Sequence, residues 1–467
     1  MRTSYRLLIL VLLVTGVSPW PIRDPSERRN VSSKYHLAKL RRPFIRKATI
    51  DGVGGIPLFN PAYAKKELQS VMQKYAKASD YLQGIDLAPD PSVLDPLVDA
   101  EADADAATSV SGTLVSAAAD SELPVPLVDA RPTSQTANNP LTDDISGSLD
   151  LEYYGPLQFG TQQLTFDVDT GSADLWIPVG CDMCNNGQFD PTTSRAYVNT
   201  GTPFNVTYGV GEVRGTLAHD TVTVGSLPAT SQYFGAVSQV SDDFNDTPSD
   251  GLIGLAFGSI ASSRHPTFFE TLMTQRRVAA PLFSIFLARK EAHGSEICFG
   301  CYDVTKTIGP ITWVPVKSRT YWSVSMDGLF VNGMTMPVVV TAAIDTGTTL
   351  IYVPDLVARQ LYNQIPGSQK ESGVFDGFYS YPCSSYPSIS LSFDGKAFEL
   401  STLDFNLGRL SSDSDRCIGG ILSLGDGFGD DFAIIGDEFL KSWYSTYDYS
   451  HGGRVGFSPS INNRVVG

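Results

Sequence analysis

The chain has little charge and little histidine. Charged side chains make up 18% of its 467 residues, and the histidines are His36, His219, His265, His293 and His451. Histidine-based catalysis therefore has few candidates, and no Gly-x-Ser-x-Gly turn accompanies them to mark a serine hydrolase. Bases are scarcer than acids, 34 against 50, for a net charge of -16. Binding to phosphates needs basic patches, so a nucleic-acid partner is excluded. Long apolar runs are also missing. Arg2 and Arg6 precede the apolar stretch Leu7 to Val14, which small residues follow. This reads as a signal peptide over 1–20, too short to span a bilayer. The C-terminal Arg454-Val-Gly-Phe-Ser-Pro has no apolar tail of the kind a lipid anchor needs. The expectation is a soluble, secreted, extracellular chain with no membrane anchor.

What is present points to β-structure. There are 42 glycines, 29 prolines and 20 tyrosines, a composition that suits a β-rich fold with many turns. Six cysteines in an oxidising compartment imply disulfides. Two Cys-x-x-Cys spacings, at Cys181 and Cys184 and at Cys298 and Cys301, would also suit zinc, but secretion favours bridges. No metal and no cofactor is expected. Asn30, Asn205 and Asn245 head glycosylation sequons, and Pro248 close behind the third disfavours its use.

The chain divides by charge. Residues 21–80 carry thirteen Lys or Arg against five Asp or Glu. Within them Lys65 to Leu82 has helical amphipathicity, with Leu68, Val71, Met72 and Tyr75 on one face and Lys66, Lys74 and Lys77 off it. Residues 81–148 are acidic and rich in Ala, Ser and Pro, and read as a flexible linker. A globular pattern is expected from Leu149 onward. Its helices are expected at Pro266–Met273, Pro354–Ile365 and Glu438–Tyr444, with apolar faces that include Phe268, Phe269, Leu356, Val357, Gln360, Leu361, Trp443 and Tyr444.

Two stretches in that part echo each other. Phe166-Asp-Val-Asp-Thr-Gly-Ser and Ala343-Ile-Asp-Thr-Gly-Thr each read as an apolar strand ending in Asp-Thr-Gly. One such turn means little, because turns are full of Asp and Gly. Two of them, half a catalytic domain apart, suggest carboxylates brought together. Paired carboxylates cannot both ionise easily, so they share a proton and can serve as base and acid at once.

At these residues the chain resembles the pepsin-like aspartic proteases, and specifically the secreted fungal ones. The resemblance covers about Leu149 to the C-terminus. Asp169-Thr-Gly-Ser and Asp345-Thr-Gly-Thr match its two catalytic motifs. Tyr208-Gly209-Val210 matches the flap, and Trp176 the indole that hydrogen-bonds the flap tyrosine. Asp250-Gly-Leu-Ile-Gly and Ile434-Ile-Gly-Asp437 match the segments that thread behind each catalytic loop, and Trp313-Val-Pro-Val with Tyr321-Trp322 matches an early strand pair of the second lobe. The resemblance implies a mainly β, bilobal fold with a cleft between lobes at 149–310 and 311–467. It implies an endopeptidase with Asp169 and Asp345 as catalytic pair. Thr170, Gly171, Ser172, Thr346, Gly347 and Thr348 would support them. Asp167, Phe244 and Leu252 would join Trp176 and the flap in binding substrate. It also implies bridges Cys181–Cys184 and Cys383–Cys417, whereas Cys298 and Cys301 fall where the family has none and could pair or stay reduced. Glycans are expected at Asn205 and Asn245, the former facing away from Tyr208 by strand alternation.

The family further implies that the basic segment is a prosegment covering the cleft, with a lysine on the two aspartates. Lys65, Lys66, Lys74 and Lys77 are the candidates, and Arg41-Arg42 is a candidate processing site. The partners would be a peptide or protein substrate, the chain's own prosegment and pepstatin-type inhibitors, and the enzyme would be a monomer. Two departures stand out. The loop after Gly160 is shorter than the family's. Val210 also stands where many fungal relatives carry Asp, which predicts weak cleavage after Lys and a preference for bulky apolar residues. The alternative function is a catalytically silent binding protein on the same scaffold. A glycosidase would need two carboxylates but not twin Asp-Thr-Gly loops.

Overall fold

The computed structural model describes residues 55–76, 78, 135–208, 211–245, 247–425 and 430–464. The expected signal peptide, Asn30, Arg41, Arg42, Lys77, most of the acidic stretch, and flap residues Gly209 and Val210 lie outside them.

The first aspartate loop grows from a hairpin. Leu164, Phe166 and Val168 alternate inward along the strand Gln162–Asp169, which pairs antiparallel with Leu149–Phe159. The turn is only Gly160-Thr161, with Gly160 at φ 55°, so the short loop closes without disturbing the register Phe159↔Gln162. Phe166–Asp169 then runs parallel to Gly251–Gly254. Leu175–Pro178 lies antiparallel to that strand and parallel to Leu227–Val240.

The second half repeats the scheme. Met334–Ile344 runs parallel to Phe432–Ile435. Ile351–Val353 lies antiparallel to that strand and parallel to Ile421–Ser423. The same four-strand arrangement, built twice, gives two similar β-rich lobes.

A shared sheet joins them. Ala137–Ser146, His293–Phe299, Leu282–Phe286, Trp443–Asp448, Arg454–Pro459 and Thr312–Arg319 are successive antiparallel neighbours. Trp322, from the second half, donates its indole N–H to Leu255 O of the first at 2.9 Å and packs on Phe257 and Tyr447.

Four expectations need correction. The folded body starts before Leu149, because Ala137–Ser146 is a strand of the joining sheet. Its inward positions Ala137, Asn139, Leu141 and Asp143 are half polar, which hid it inside an acidic stretch. The front helix runs Pro61–Lys74 instead of starting at Lys65, with Asn60 accepting from the Ala62 N–H as its cap. In the helix Asp355–Asn363 the buried face is Val357, Ala358, Leu361 and Tyr362, so Leu356 and Gln360 face solvent. Phe268–Thr274 forms as expected, with Phe268, Phe269, Leu272 and Met273 buried. The third helix is confined to Asp437–Leu440, and Trp443 opens the next strand.

Candidate active site

Each aspartate sits where its strand ends against a glycine of the neighbouring parallel strand. Asp169 pairs with Gly254, and the Asp345 N–H donates to Ile435 O at 3.0 Å beside Gly436. A Cβ on Gly254 would meet the Ala173 carbonyl carbon at 2.5 Å, and one on Gly436 the Thr348 oxygen at 2.1 Å. Only glycine lets the two strands approach this closely.

The two loops lock together reciprocally. Thr170 Oγ1 donates to Ile344 O at 2.9 Å, and Thr346 Oγ1 donates to Val168 O at 2.6 Å. In return each hydroxyl accepts from the other loop's threonine N–H, at 3.1 and 3.0 Å. All four partners are buried.

The carboxylates are held the same way. Gly171 N–H donates to Asp169 Oδ1 at 2.8 Å and Ser172 Oγ to Oδ2 at 2.6 Å. Gly347 N–H donates to Asp345 Oδ1 at 2.9 Å and Thr348 Oγ1 to Oδ2 at 2.5 Å. A Cβ on Gly171 would lie 2.4 Å from Asp345 Oδ1, and one on Gly347 would lie 2.4 Å from Asp169 Oδ1. The glycines therefore set the closeness of the pair.

The front helix ends on this pair. Of the candidate lysines among the described residues, Lys65, Lys66 and Lys74, it is Lys74 whose ammonium reaches both aspartates. It donates to Asp169 Oδ1 at 2.7 Å and to Asp345 at 3.1 and 3.0 Å. Lys66 is exposed and Lys65 half-buried. Tyr75 adds an O–H bond to Asp345 Oδ2 at 2.9 Å and packs on Tyr321 and Phe432. Tyr75 reads in the sequence only as apolar helix face. Its place beside Lys74 was the available signal for a second contact.

These contacts split the pair electrostatically. Burial raises the Asp169 carboxyl against the pull of Lys74, and nearby Asp345 adds to the rise. For Asp345 burial is outweighed by Lys74 and the Thr348 hydroxyl, so its carboxyl falls below the usual carboxylate range. Burial would also lower Lys74, but the two aspartates outweigh it and hold the ammonium protonated.

Tyr208, Trp176, Phe244 and Leu252 form one apolar cluster beside the first loop. The Trp176 indole faces the buried Tyr208 hydroxyl and pulls against the effect of burial on it, as the expected pairing would. Phe244 meets both rings edge-on, at 5.2 and 5.4 Å. Asp167 is half-buried with an unpartnered Oδ1, and burial, Glu152 and Asp169 push its carboxyl well up. Asn205 is exposed and Tyr208 buried, on opposite strand faces. The Asn245 amide is engaged with the neighbouring disulfide loop, donating to Met183 O and accepting from Asn185 N–H, both at 3.1 Å. Bridges form at Cys181–Cys184 and Cys383–Cys417, and Cys298 pairs with Cys301.

Twin Asp-Thr-Gly loops held face to face on duplicated lobes define an aspartic peptidase architecture. The profile of the eukaryotic aspartyl protease family matches residues 152–460, and the chain belongs to that family. It is 39% identical to an aspartic protease of Phaffia rhodozyma, over 70% of this chain and 80% of that protein. It is 34% identical to cathepsin D of Dictyostelium discoideum and to pepsin A of Gallus gallus, in each case over 68% of this chain and 86% of the relative. It is an aspartic-type endopeptidase.

Proposed function

We propose that the chain is the zymogen of a secreted, acid-active endopeptidase, with Asp169 and Asp345 as catalytic pair and residues 21–80 as the prosegment that keeps it closed. The observation that carries this reading is Lys74, which occupies the space between both carboxylates where a water would have to sit.

With that lysine gone, one aspartate is ionised and the other protonated. The ionised carboxylate takes a proton from a water, whose oxygen attacks the peptide carbonyl carbon. The protonated carboxyl donates to the carbonyl oxygen, giving a diol. The amide C–N bond then breaks as a proton passes to the leaving nitrogen. Thr170 and Thr346 hold the loops in register, while Gly171, Ser172, Gly347 and Thr348 aim the carboxylates.

Acid opens the site by linkage. The Asp345 carboxyl is depressed while Lys74 is docked. Its contribution to docking is present above the ordinary carboxylate value of about 3.9 and is lost as pH falls through the docked value. The mature enzyme would prefer bulky apolar residues, because Tyr208 and Phe244 on one side and Tyr321 and Phe432 on the other offer rings. Asp167, two residues before Asp169 on the same strand, would partly offset the loss of an acid at position 210. Residues 81 to about 134 would be a linker removed or retained with the prosegment. Pepstatin-type compounds would inhibit the enzyme.

The test is peptide cleavage by the purified chain after brief acidification, with and without pepstatin. Acid-dependent cleavage abolished by pepstatin is expected. Pepstatin binding without cleavage would favour a silent binding protein, and cleavage indifferent to pepstatin would remove the role given to Asp169 and Asp345.

A further inference from the structure

Glu67 is the one carboxylate on the helix Pro61–Lys74, and it is buried. It enters the loop after the second aspartate motif. Thr349 N–H donates to its Oε1, and Tyr352 O–H donates to its Oε2 at 2.8 Å. One turn earlier on the helix, the Tyr63 hydroxyl meets the Thr349 hydroxyl at 3.0 Å. Two turns later, a rise of about 10.5 Å on the same face, Lys74 grips the two aspartates. One short helix therefore carries both an acid and a base into the closed site.

The two contacts answer pH in opposite senses. Lys74 needs an ionised partner. Its hold on Asp345, whose carboxyl is depressed on docking, exists above the ordinary value of about 3.9 and is lost as pH falls through the docked value. Glu67 enters an apolar place. Ala64, Leu68 and Val71 of the helix and Leu350 and Tyr352 of the enzyme belong to one apolar cluster. Burial raises the Glu67 carboxyl, although the bonds from Tyr352, Thr349 and Leu350 pull it down. A group raised on docking holds fully below its free pKa, about 4.3 for glutamate, and loses hold as pH rises through the docked value. At the pH where Asp345 starts to let go, Glu67 is therefore already at full hold.

The titratable groups around Glu67 act in the same direction. They are Tyr63 on its own helix, Tyr352 on the strand Ile351–Val353, and Asp437 behind the second loop. Glu152 lies close to Tyr63, and exposed Lys66 precedes Glu67. Negative charge on either of these acids adds to the cost of ionising Glu67.

We propose that Glu67 is a counter-latch, which docks in the second loop as a neutral acid, grips harder as pH falls, and so sets how far the medium must acidify before Lys74 is released. This rests on the zymogen reading above and names a regulator of the same site.

The experiment uses the full chain and two variants, Glu67→Gln and Glu67→Leu. Hydrogen exchange of the amides in Pro61–Lys74 reads docking without any cleavage, because a lone helix of this length is marginal in water. Short pulses are compared between chains at one pH at a time, so the pH dependence of exchange itself cancels. At pH 7 the parent helix should exchange faster than that of Glu67→Gln, whose amide cannot ionise. By pH 4.5 the two should converge. At pH 4.5 Glu67→Leu should exchange about fivefold faster than both, the scale of one net hydrogen bond. Its pH of half-maximal activation, read by peptide cleavage, should lie above the parent's. A parent to Gln ratio that stays constant or grows on acidification would overturn the titrating latch. Glu67→Leu that is as protected as the parent and activates at the same pH would overturn its grip. A chain with the expected exchange that cleaves no peptide after acidification would instead remove the proposed function, and the latch's part in activation with it.

Discussion

The two aspartate loops make the same bonds, yet they face different surroundings. Asp169 and Asp345 each take a glycine N–H and a hydroxyl, and their threonines exchange bonds of nearly equal length. Outside the loops the likeness ends. Asp345 meets Lys74 through both oxygens and receives the Tyr75 hydroxyl, whereas Asp169 meets Lys74 through one oxygen. Burial raises Asp169, and Lys74 with Thr348 brings Asp345 down. Local sequence therefore sets the geometry of each carboxylate, and distant segments divide the charge between them.

The strongest test of the symmetric part is to neutralise each carboxylate. Asp169→Asn and Asp345→Asn should each lower kcat by about 10⁴-fold, at the upper end of general acid–base effects, because neither carboxylate can do both jobs. Measured peptide hydrolysis that survives either change would break the equivalence of the pair.

The asymmetric part should respond next. Lys74→Met leaves two buried carboxylates facing an apolar side chain, and breaking a buried pair costs about 3–5 kcal/mol. The prosegment should then leave at neutral pH, read as pepstatin binding by the unacidified chain. A variant as closed at pH 7 as the parent would mean that apolar contacts alone hold the helix.

A smaller effect is expected at the threonines. Thr170→Val and Thr346→Val each leave a buried N–H and a carbonyl unpaired, at about 1–3 kcal/mol per donor. Denaturant midpoints should fall by similar amounts, since the bonds are reciprocal. Unequal losses would show that one lobe depends on the other more than the reverse.

Tyr75→Phe is the mildest change. It removes one donor from Asp345, whose carboxyl should rise. Acid release, followed by the pH of half-maximal activation, should move upward with it. A downward move would reverse the sign given to this contact.

The site's frame was legible because it is local. Asp, Thr, Gly and Ser or Thr lie within four consecutive positions, and an apolar strand precedes each, alternating before Asp169 and nearly continuous before Asp345. The helix was legible too, but not its target. Lys65, Lys66, Lys74 and Lys77 have the same chemistry, and only docking distinguishes Lys74. Glu67 gave no signal as a lone acid on a basic helix. The strand Ala137–Ser146 was missed because its inward face includes Asn139 and Asp143.

By itself, then, the sequence determined the duplicated strand-and-turn units, the carboxylates at their ends and a basic helix ahead of them, all of which depend on neighbours a few residues away. Tertiary structure alone decided which lysine reaches the aspartates, that Cys298 meets Cys301, and that Glu67 enters the second loop. The lysine and the glutamate depend on packing between segments, with partners 95 to 285 residues away along the chain. Such distances are settled by how buried faces fit, which no local pattern records.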